Sequence, residues 1–165
     1  MRVVITGMGV ISPLGLTVPD FWDKIKNGVV GISKIESFDT SGLDVSLAAE
    51  VKNYDPEVYL GKKEPKRTDR YAQFALSAAV EAMKSAGGLS SGPRLGVIVS
   101  SGVGGLKTIE DQILLMDKKG PGRISPFFIP EMISNMAAGL LAIKYGAKGV
   151  CECVVTACAS SVNAV

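Results

Sequence analysis

The sequence predicts an α/β fold, and three observations carry that expectation. Short β-branched runs alternate with helical stretches along the chain instead of segregating into blocks. The 165 residues suffice for one domain with its own hydrophobic core. A composition of 47% hydrophobic and 21% charged residues suits a folded protein and excludes a disordered or fibrous chain. A formal net charge of +2, from 18 basic and 16 acidic residues, argues against a function driven by phosphate neutralisation along a nucleic acid. The chain contains no histidine.

Residues 2–6 form a β-branched run ended by Gly7-Met8-Gly9, which reads as a buried strand followed by a tight turn. Thr17-Val18-Pro19-Asp20 then reads as a helix start, with Thr17 as cap and Pro19 in the first turn. Phe21, Trp22 and Ile25 give that helix its apolar stripe, and Asn27-Gly28 ends it. A strand over residues 45–51 interrupts a stretch of loop. The clearest helix covers about residues 67–86, where Tyr71, Phe74, Ala75, Ala78, Ala79, Ala82 and Met83 recur at helical spacing before Gly87-Gly88. A strand follows over 95–100, then Ser101-Gly102-Val103-Gly104-Gly105 and a polar helix over 107–118. After an irregular Pro-rich segment, 125–130, a helix is expected over 131–145 and a strand over 150–156. Ala157-Cys158-Ala159-Ser160-Ser161 turns into a last apolar helix. The chain stops barely two turns into it, too short a helix to be stable alone, so the sequence reads as cut.

No apolar run approaches the roughly 18 residues of a membrane span, and the N-terminus lacks the apolar core and cleavage site of a secretory signal. Cys151, Cys153 and Cys158 are an odd number for disulfides, which points to a reducing, cytoplasmic location. Three thiols without histidine or a fourth cysteine do not close a zinc site, so no metal is expected. No cofactor is implied either.

Two Gly-rich turns invite a nucleotide reading and fail it. Gly7-Met8-Gly9-Val10-Ile11-Ser12 has serine where a dinucleotide fingerprint needs its third glycine. In Gly102-Val103-Gly104-Gly105-Leu106-Lys107-Thr108, Leu106 stands where a P-loop requires glycine. Cys158 offers more. It follows the β-branched Val154-Val155-Thr156 and precedes small residues at a helix start, a strand–turn–helix arrangement that exposes one side chain above a sheet. A helix N-terminus there favours a thiolate and offers N–H groups to an oxyanion. A buried structural cysteine is the other reading of the same residue. Cys151 and Cys153 share one face of the preceding strand, where burial accounts for both. Lys62, Lys63, Lys66, Arg67 and Arg70 gather at the start of the long helix, as a solvated face or as a dock for an acidic partner. Phe127 and Phe128 are core filler or an interface wedge.

Five ordered motifs make a resemblance specific. They are Val3–Gly15, Ser101-Gly102-Val103-Gly104-Gly105, Ile124-Ser125-Pro126-Phe127-Phe128-Ile129-Pro130, Asn135-Met136-Ala137-Ala138-Gly139 and Val155-Thr156-Ala157-Cys158-Ala159-Ser160-Ser161. Together they resemble the β-ketoacyl-acyl carrier protein synthases, and more their elongating members than others, over essentially the whole chain. The resemblance implies a thiolase-like fold, with residues 1–165 as the N-terminal βαβαβαββ half of a five-layered α-β-α-β-α homodimer. It implies decarboxylative condensation of malonyl-acyl carrier protein with an acyl chain held on Cys158 as a thioester, the Cys158 N–H being one oxyanion donor. It assigns Val103 to the acyl pocket, Phe128 to the wall closing that pocket from the partner subunit, and Lys63, Lys66 and Arg67 to carrier docking.

The departures matter as much. The family's two histidines, its lysine and its Gly-rich Phe-containing loop belong to a second half, so the resemblance implies that residues 1–165 alone are inactive. Gly122 stands where members often carry a basic residue, and Cys151-Glu152-Cys153 replaces the usual residues ahead of the nucleophile strand. A polyketide-type ketosynthase is the neighbouring alternative. A non-catalytic chain-length partner is the other, although such partners replace the nucleophile that Cys158 keeps.

Overall fold

A computed structural model describes residues 2–165; Met1 lies outside the described residues. Its elements run α1 (Val18–Lys26), β1 (Ser33–Lys34), β2 (Leu47–Ala48), α2 (Pro56–Leu60), a 3-10 turn (Glu64–Arg67), α3 (Arg70–Ser85), β3 (Val97–Ser100), α4 (Leu106–Lys119), a 3-10 turn (Pro121–Arg123), α5 (Phe128–Met132), α6 (Met136–Tyr145), β4 (Cys151–Val154), a 3-10 turn (Ala157–Ala159) and α7 (Ser160–Ala164). The fold is mixed α/β, as expected, but the strands are short and number four among the described residues. β1 and β2 pair antiparallel, Ser33 opposite Ala48. β3 and β4 pair parallel, in register from Val97 opposite Cys151 to Ser100 opposite Val154.

Strand alternation puts Val97, Val99, Cys151 and Cys153 on one face of the parallel pair. Against that face α3 and α6 bury Leu76 and Leu141, joined by Leu60 of α2 and flanked by Val97, Val99, Leu140 and Tyr145. Small residues are buried on both helices, Ala72 on α3 and Ala137 and Ala138 on α6, while the buried Ser77 of α3 shares a hydrogen bond with the Tyr54 hydroxyl at 2.8 Å.

The N-terminal segment departs from expectation. Residues 2–6 form no strand, and Val3, Val4 and Ile5 are 93%, 66% and 79% exposed. A strand needs a neighbour to pair its backbone groups, and none among the described residues runs beside this one. Gly7 and Gly9 are packing residues instead of turn residues. A Cβ on Gly9 would stand 1.9 Å from the Ala78 carbonyl oxygen, and one on Gly7 2.3 Å from that of Ala82, so the segment lies flat on the alanine stripe of α3. Glu81 of α3 fastens it there, accepting the Val10 N–H at 3.0 Å and the Val18 N–H, at the start of α1, at 2.8 Å.

A second carboxylate joins more elements. Asp69 is 8% exposed and caps α3 through the Tyr71 N–H at 3.2 Å. Its other oxygen takes the Thr108 N–H at 3.0 Å and hydroxyl at 2.7 Å, in the first turn of α4. The helix expected over 67–86 therefore starts at Arg70, because Asp69 leaves helical geometry to serve two helix ends. The helix expected over 131–145 is likewise split into α5 and α6. The Gly104-Gly105 turn presses into the break: the Gly105 N–H donates to the Met132 carbonyl at 2.9 Å, and a Cβ on Gly104 would be 2.2 Å from that oxygen. Tyr71 donates its hydroxyl to the Ile133 carbonyl in the same break.

Asp69→Ala removes two caps and leaves part-buried donors unpaired, so it is expected to lower unfolding stability by about 2–3 kcal/mol in urea titration. A loss below about 0.5 kcal/mol would contradict the double-cap account. Burial above all pushes the Tyr71 phenol up from 10.0 to about 12. A proton held more tightly in the folded state stabilises it fully below the unfolded value and less as pH rises towards the folded one. Stability is therefore expected to fall between pH 10.0 and about 12, more steeply than in Tyr71→Phe, as followed by chemical denaturation at each pH.

Candidate active site

β3 and β4 run parallel, so both deliver their following turns to the same edge of the sheet, the edge where α/β proteins gather ligand-binding groups. The turn after β3 is the Gly102–Gly105 segment with Val103, which is 58% exposed. The turn after β4 carries Cys158, exposed and a free thiol. The Ser100 hydroxyl at the end of β3 donates to the Ser160 carbonyl at 2.8 Å and ties the two turns together.

Around Cys158 the chain makes a close turn. Thr156 has φ −135° and ψ 40°, and Ala157 has φ 51°, in the left-handed region. The Ala159 N–H donates to the Thr156 carbonyl at 3.1 Å. The side chain of Ser160, 6% exposed, accepts the Thr156 N–H at 2.7 Å and donates to the Ala157 carbonyl at 2.8 Å. The Asn163 amide donates to the Thr156 hydroxyl at 2.6 Å. Nothing in the sequence reading singled out Ser160 or Ser100; a serine after a turn is too common a pattern to flag.

The other cysteines divide. Cys153 is half-buried beneath the helices, whereas Cys151 is exposed, contrary to the burial expected for both. Both lie on the helix-facing side of β4, but Cys151 opens the strand, beyond the cover of α3 and α6. No group of three or more His, Cys, Asp or Glu residues among the described residues is arranged to hold a metal ion.

Phe128 opens α5 and is half-buried in a cavity of about 110 Å³ with Gln112, Ile113, Met116 and Ile124. That cavity holds neither Val103 nor Cys158, so within one chain Phe128 packs against α4. A larger apolar cavity of about 1110 Å³ lies between the N-terminal segment, α1, Ile98 and Val165, and Cys158 does not line it.

Lys63, Lys66 and Arg67 sit on or beside the 3-10 turn Glu64–Arg67, all exposed, as is Lys62. None of the four forms an ion pair among the described residues. Arg67 lies over the Phe127 ring, 5.1 Å from its centroid, which brings this basic turn against the Phe127-Phe128 segment. Arg70 does not belong to the free patch. Its guanidinium donates to the Val51 carbonyl at 2.7 Å and covers Phe74 at 4.9 Å, a structural role.

Comparison with known proteins gives matches along the whole chain. The family described as "Beta-ketoacyl synthase, N-terminal domain" matches residues 1–165. The chain is 45% identical over 167 residues to the 3-oxoacyl-(acyl-carrier-protein) synthase 2 of Synechocystis sp., covering 99% of this chain and 40% of that protein. Among solved structures, the ishigamide ketosynthase/chain length factor aligns with a TM-score of 0.84 at 27% identity, over 94% of this chain and 40% of that one. A type II polyketide ketosynthase in complex with its acyl-carrier protein aligns with a TM-score of 0.76 at 20% identity, over 99% and 44%, a likeness of fold alone. The thiolase-like fold implied by the sequence motifs is thus the fold of this chain, which spans about 40% of the length of these relatives.

Proposed function

The chain belongs to the β-ketoacyl synthase family through its N-terminal domain, and from that membership we propose that it is the acyl-accepting part of a 3-oxoacyl-acyl carrier protein synthase of fatty acid elongation. The observation that carries the proposal is the exposed thiol of Cys158, on the turn that leaves β4 beside the Gly102–Gly105 turn of its parallel neighbour.

In the first step the Cys158 sulfur attacks the carbonyl carbon of an acyl-carrier thioester. The new carbon–sulfur bond forms as the carrier's breaks, and the thiol proton ends on the departing carrier thiol. The reaction exchanges one thioester for another with no net oxidation. The Cys158 N–H, which has no loop partner among the described residues, is a donor for the tetrahedral oxyanion. In the second step malonyl-acyl carrier protein loses carbon dioxide. The resulting enolate carbon attacks the acyl carbonyl, and the Cys158 thiolate leaves and is reprotonated. The enolate needs hydrogen-bond donors, and histidine, the family's means of supplying them, is missing from residues 1–165. These residues alone are therefore expected to be inactive in condensation.

The basic turn at Lys63, Lys66 and Arg67 suits an acidic carrier protein by charge. Phe128 closes the acyl pocket of the partner subunit in a homodimer; in its own chain it packs on α4. The free thiols suit a reducing cytoplasm. A polyketide-type ketosynthase is the second reading, kept in view by the likeness to a ketosynthase/chain length factor at 27% identity. The 45% identity to a 3-oxoacyl-(acyl-carrier-protein) synthase 2 supports the first, and the presence of Cys158 disfavours a non-catalytic chain-length subunit.

Incubated with an acyl-carrier thioester, the intact protein is expected to gain the mass of one acyl group, and Cys158→Ala none. An equal gain in Cys158→Ala would overturn the assignment. Lys63→Glu/Lys66→Glu is expected to raise the KM for acyl carrier about tenfold, with little change for a small thioester that makes no protein contact. An unchanged KM would remove this turn from the docking surface. Arg67 is left out of that variant because its contact with Phe127 confounds charge with packing.

A further inference from the structure

The turn that presents Cys158 is conformationally unfavourable. Ala157, at φ 51°, and Asn53, at φ 56°, are the non-glycine residues with positive φ among the described residues. Asparagine tolerates that region through its short polar side chain, but alanine gains nothing there and its Cβ crowds the following carbonyl. Such a residue persists only where its surroundings over-determine it.

What determines it is Ser160. Its hydroxyl takes the N–H of Thr156 and gives its proton to the carbonyl of Ala157, so one buried oxygen closes the chain on both sides of the strained residue. Ser160 is in turn anchored to the sheet, its carbonyl accepting the Ser100 hydroxyl from β3. Cys158 lies inside the loop thus closed, with no hydrogen bond of its own in that network. The position of its thiol is therefore set by the brace.

Resting on the reading of Cys158 as acyl acceptor, we propose that Ser160 is a positioning residue: its hydroxyl holds Ala157 left-handed and so keeps the Cys158 thiol and N–H presented beyond the end of β4. Without the hydroxyl, Ala157 relaxes towards the right-handed region and carries Cys158 out of line. Ser100 supports the same geometry one contact further back.

The test compares the intact wild-type protein with Ser160→Ala and with Ser160→Ala/Ala157→Gly. It follows two rates: alkylation of Cys158 by iodoacetamide, located by peptide mass, and acyl transfer from an acyl-carrier thioester. Misplacement of a reacting atom is expected to slow both rates in Ser160→Ala by about 10-fold to 100-fold, with the KM for carrier within about twofold of wild type. Glycine adopts positive φ without cost, so the double variant is expected to recover most of the lost rate, which restored packing alone would not achieve. Should Ser160→Ala fail to fold, Ser100→Ala with and without Ala157→Gly carries the same comparison, with a smaller loss.

Alkylation of Ser160→Ala within about twofold of wild type would overturn the proposal. So would a loss that Ala157→Gly does not relieve, which would make Ser160 a packing group only. The two readings fail separately. Wild-type Cys158 that alkylates but never takes an acyl group removes the acyl-acceptor role, while the alkylation rates of the variants still decide the brace.

Discussion

One buried carboxylate sets the relative positions of most of what surrounds it. Asp69 faces the first turns of α3 and α4 and satisfies donors from both, a charge-assisted arrangement stronger than a neutral cap. Gly105 must approach it closely, since a Cβ there would stand 2.9 Å from the Asp69 carboxylate and 2.5 Å from the Glu131 carbonyl oxygen. The basic turn enters Asp69 from one side and the Val103 turn reaches it from the other. The separation between the proposed carrier dock and the Gly-rich turn at the sheet edge is thus fixed through a single residue. Burial, and then the charge of Asp69, pushes the nearby Glu131 carboxyl up, a sign of how closely α5 is drawn into the same cluster.

The sheet contributes direction more than size. A parallel pair only four residues long makes a modest ladder, but both strands end on one side, and the turns that carry Val103 and the proposed acyl acceptor Cys158 emerge there together. The Ser100–Ser160 bond joins them, so the position of Cys158 is referred to β3 as well as to its own strand. Backbone strain at Ala157 is stored at this point and balanced by Ser160, a distribution typical of sites where geometry takes precedence over local comfort.

What the sequence made legible follows the range of the forces involved. The helix period of α3, its glycine stop, the polar helix α4 and the strand–turn–helix at Cys158 are local patterns, and the structure keeps them. α2 went unread within a stretch taken as loop, although Asp55 caps it and Pro56 opens it. The misreadings are tertiary. Gly7 and Gly9 looked like a turn because their real partner, the Ala78–Ala82 stripe, lies seventy residues on; the stripe itself was visible, its occupant was not. The start of α3 shifted because Asp69 answers to Thr108, 39 residues away. Residues 2–6 have strand composition, yet a strand is a property of a pair, and no partner stands beside them among the described residues. Cys151 alternates correctly but sits past the helices that cover Cys153. Ser160 was hidden for the same reason: its role depends on the left-handed Ala157 and on Ser100, sixty residues away.

The central claim, that this sheet edge exists to hold an acyl group on Cys158, is tested most directly by a crystal structure of the intact protein trapped after reaction with an acyl-carrier thioester. The account requires continuous density from the Cys158 sulfur to the acyl carbonyl, its oxygen in hydrogen-bond reach of the Cys158 N–H, and Ala157 still left-handed beneath Ser160. Density for the acyl group on Cys151, which is also exposed, or on neither cysteine, would contradict it.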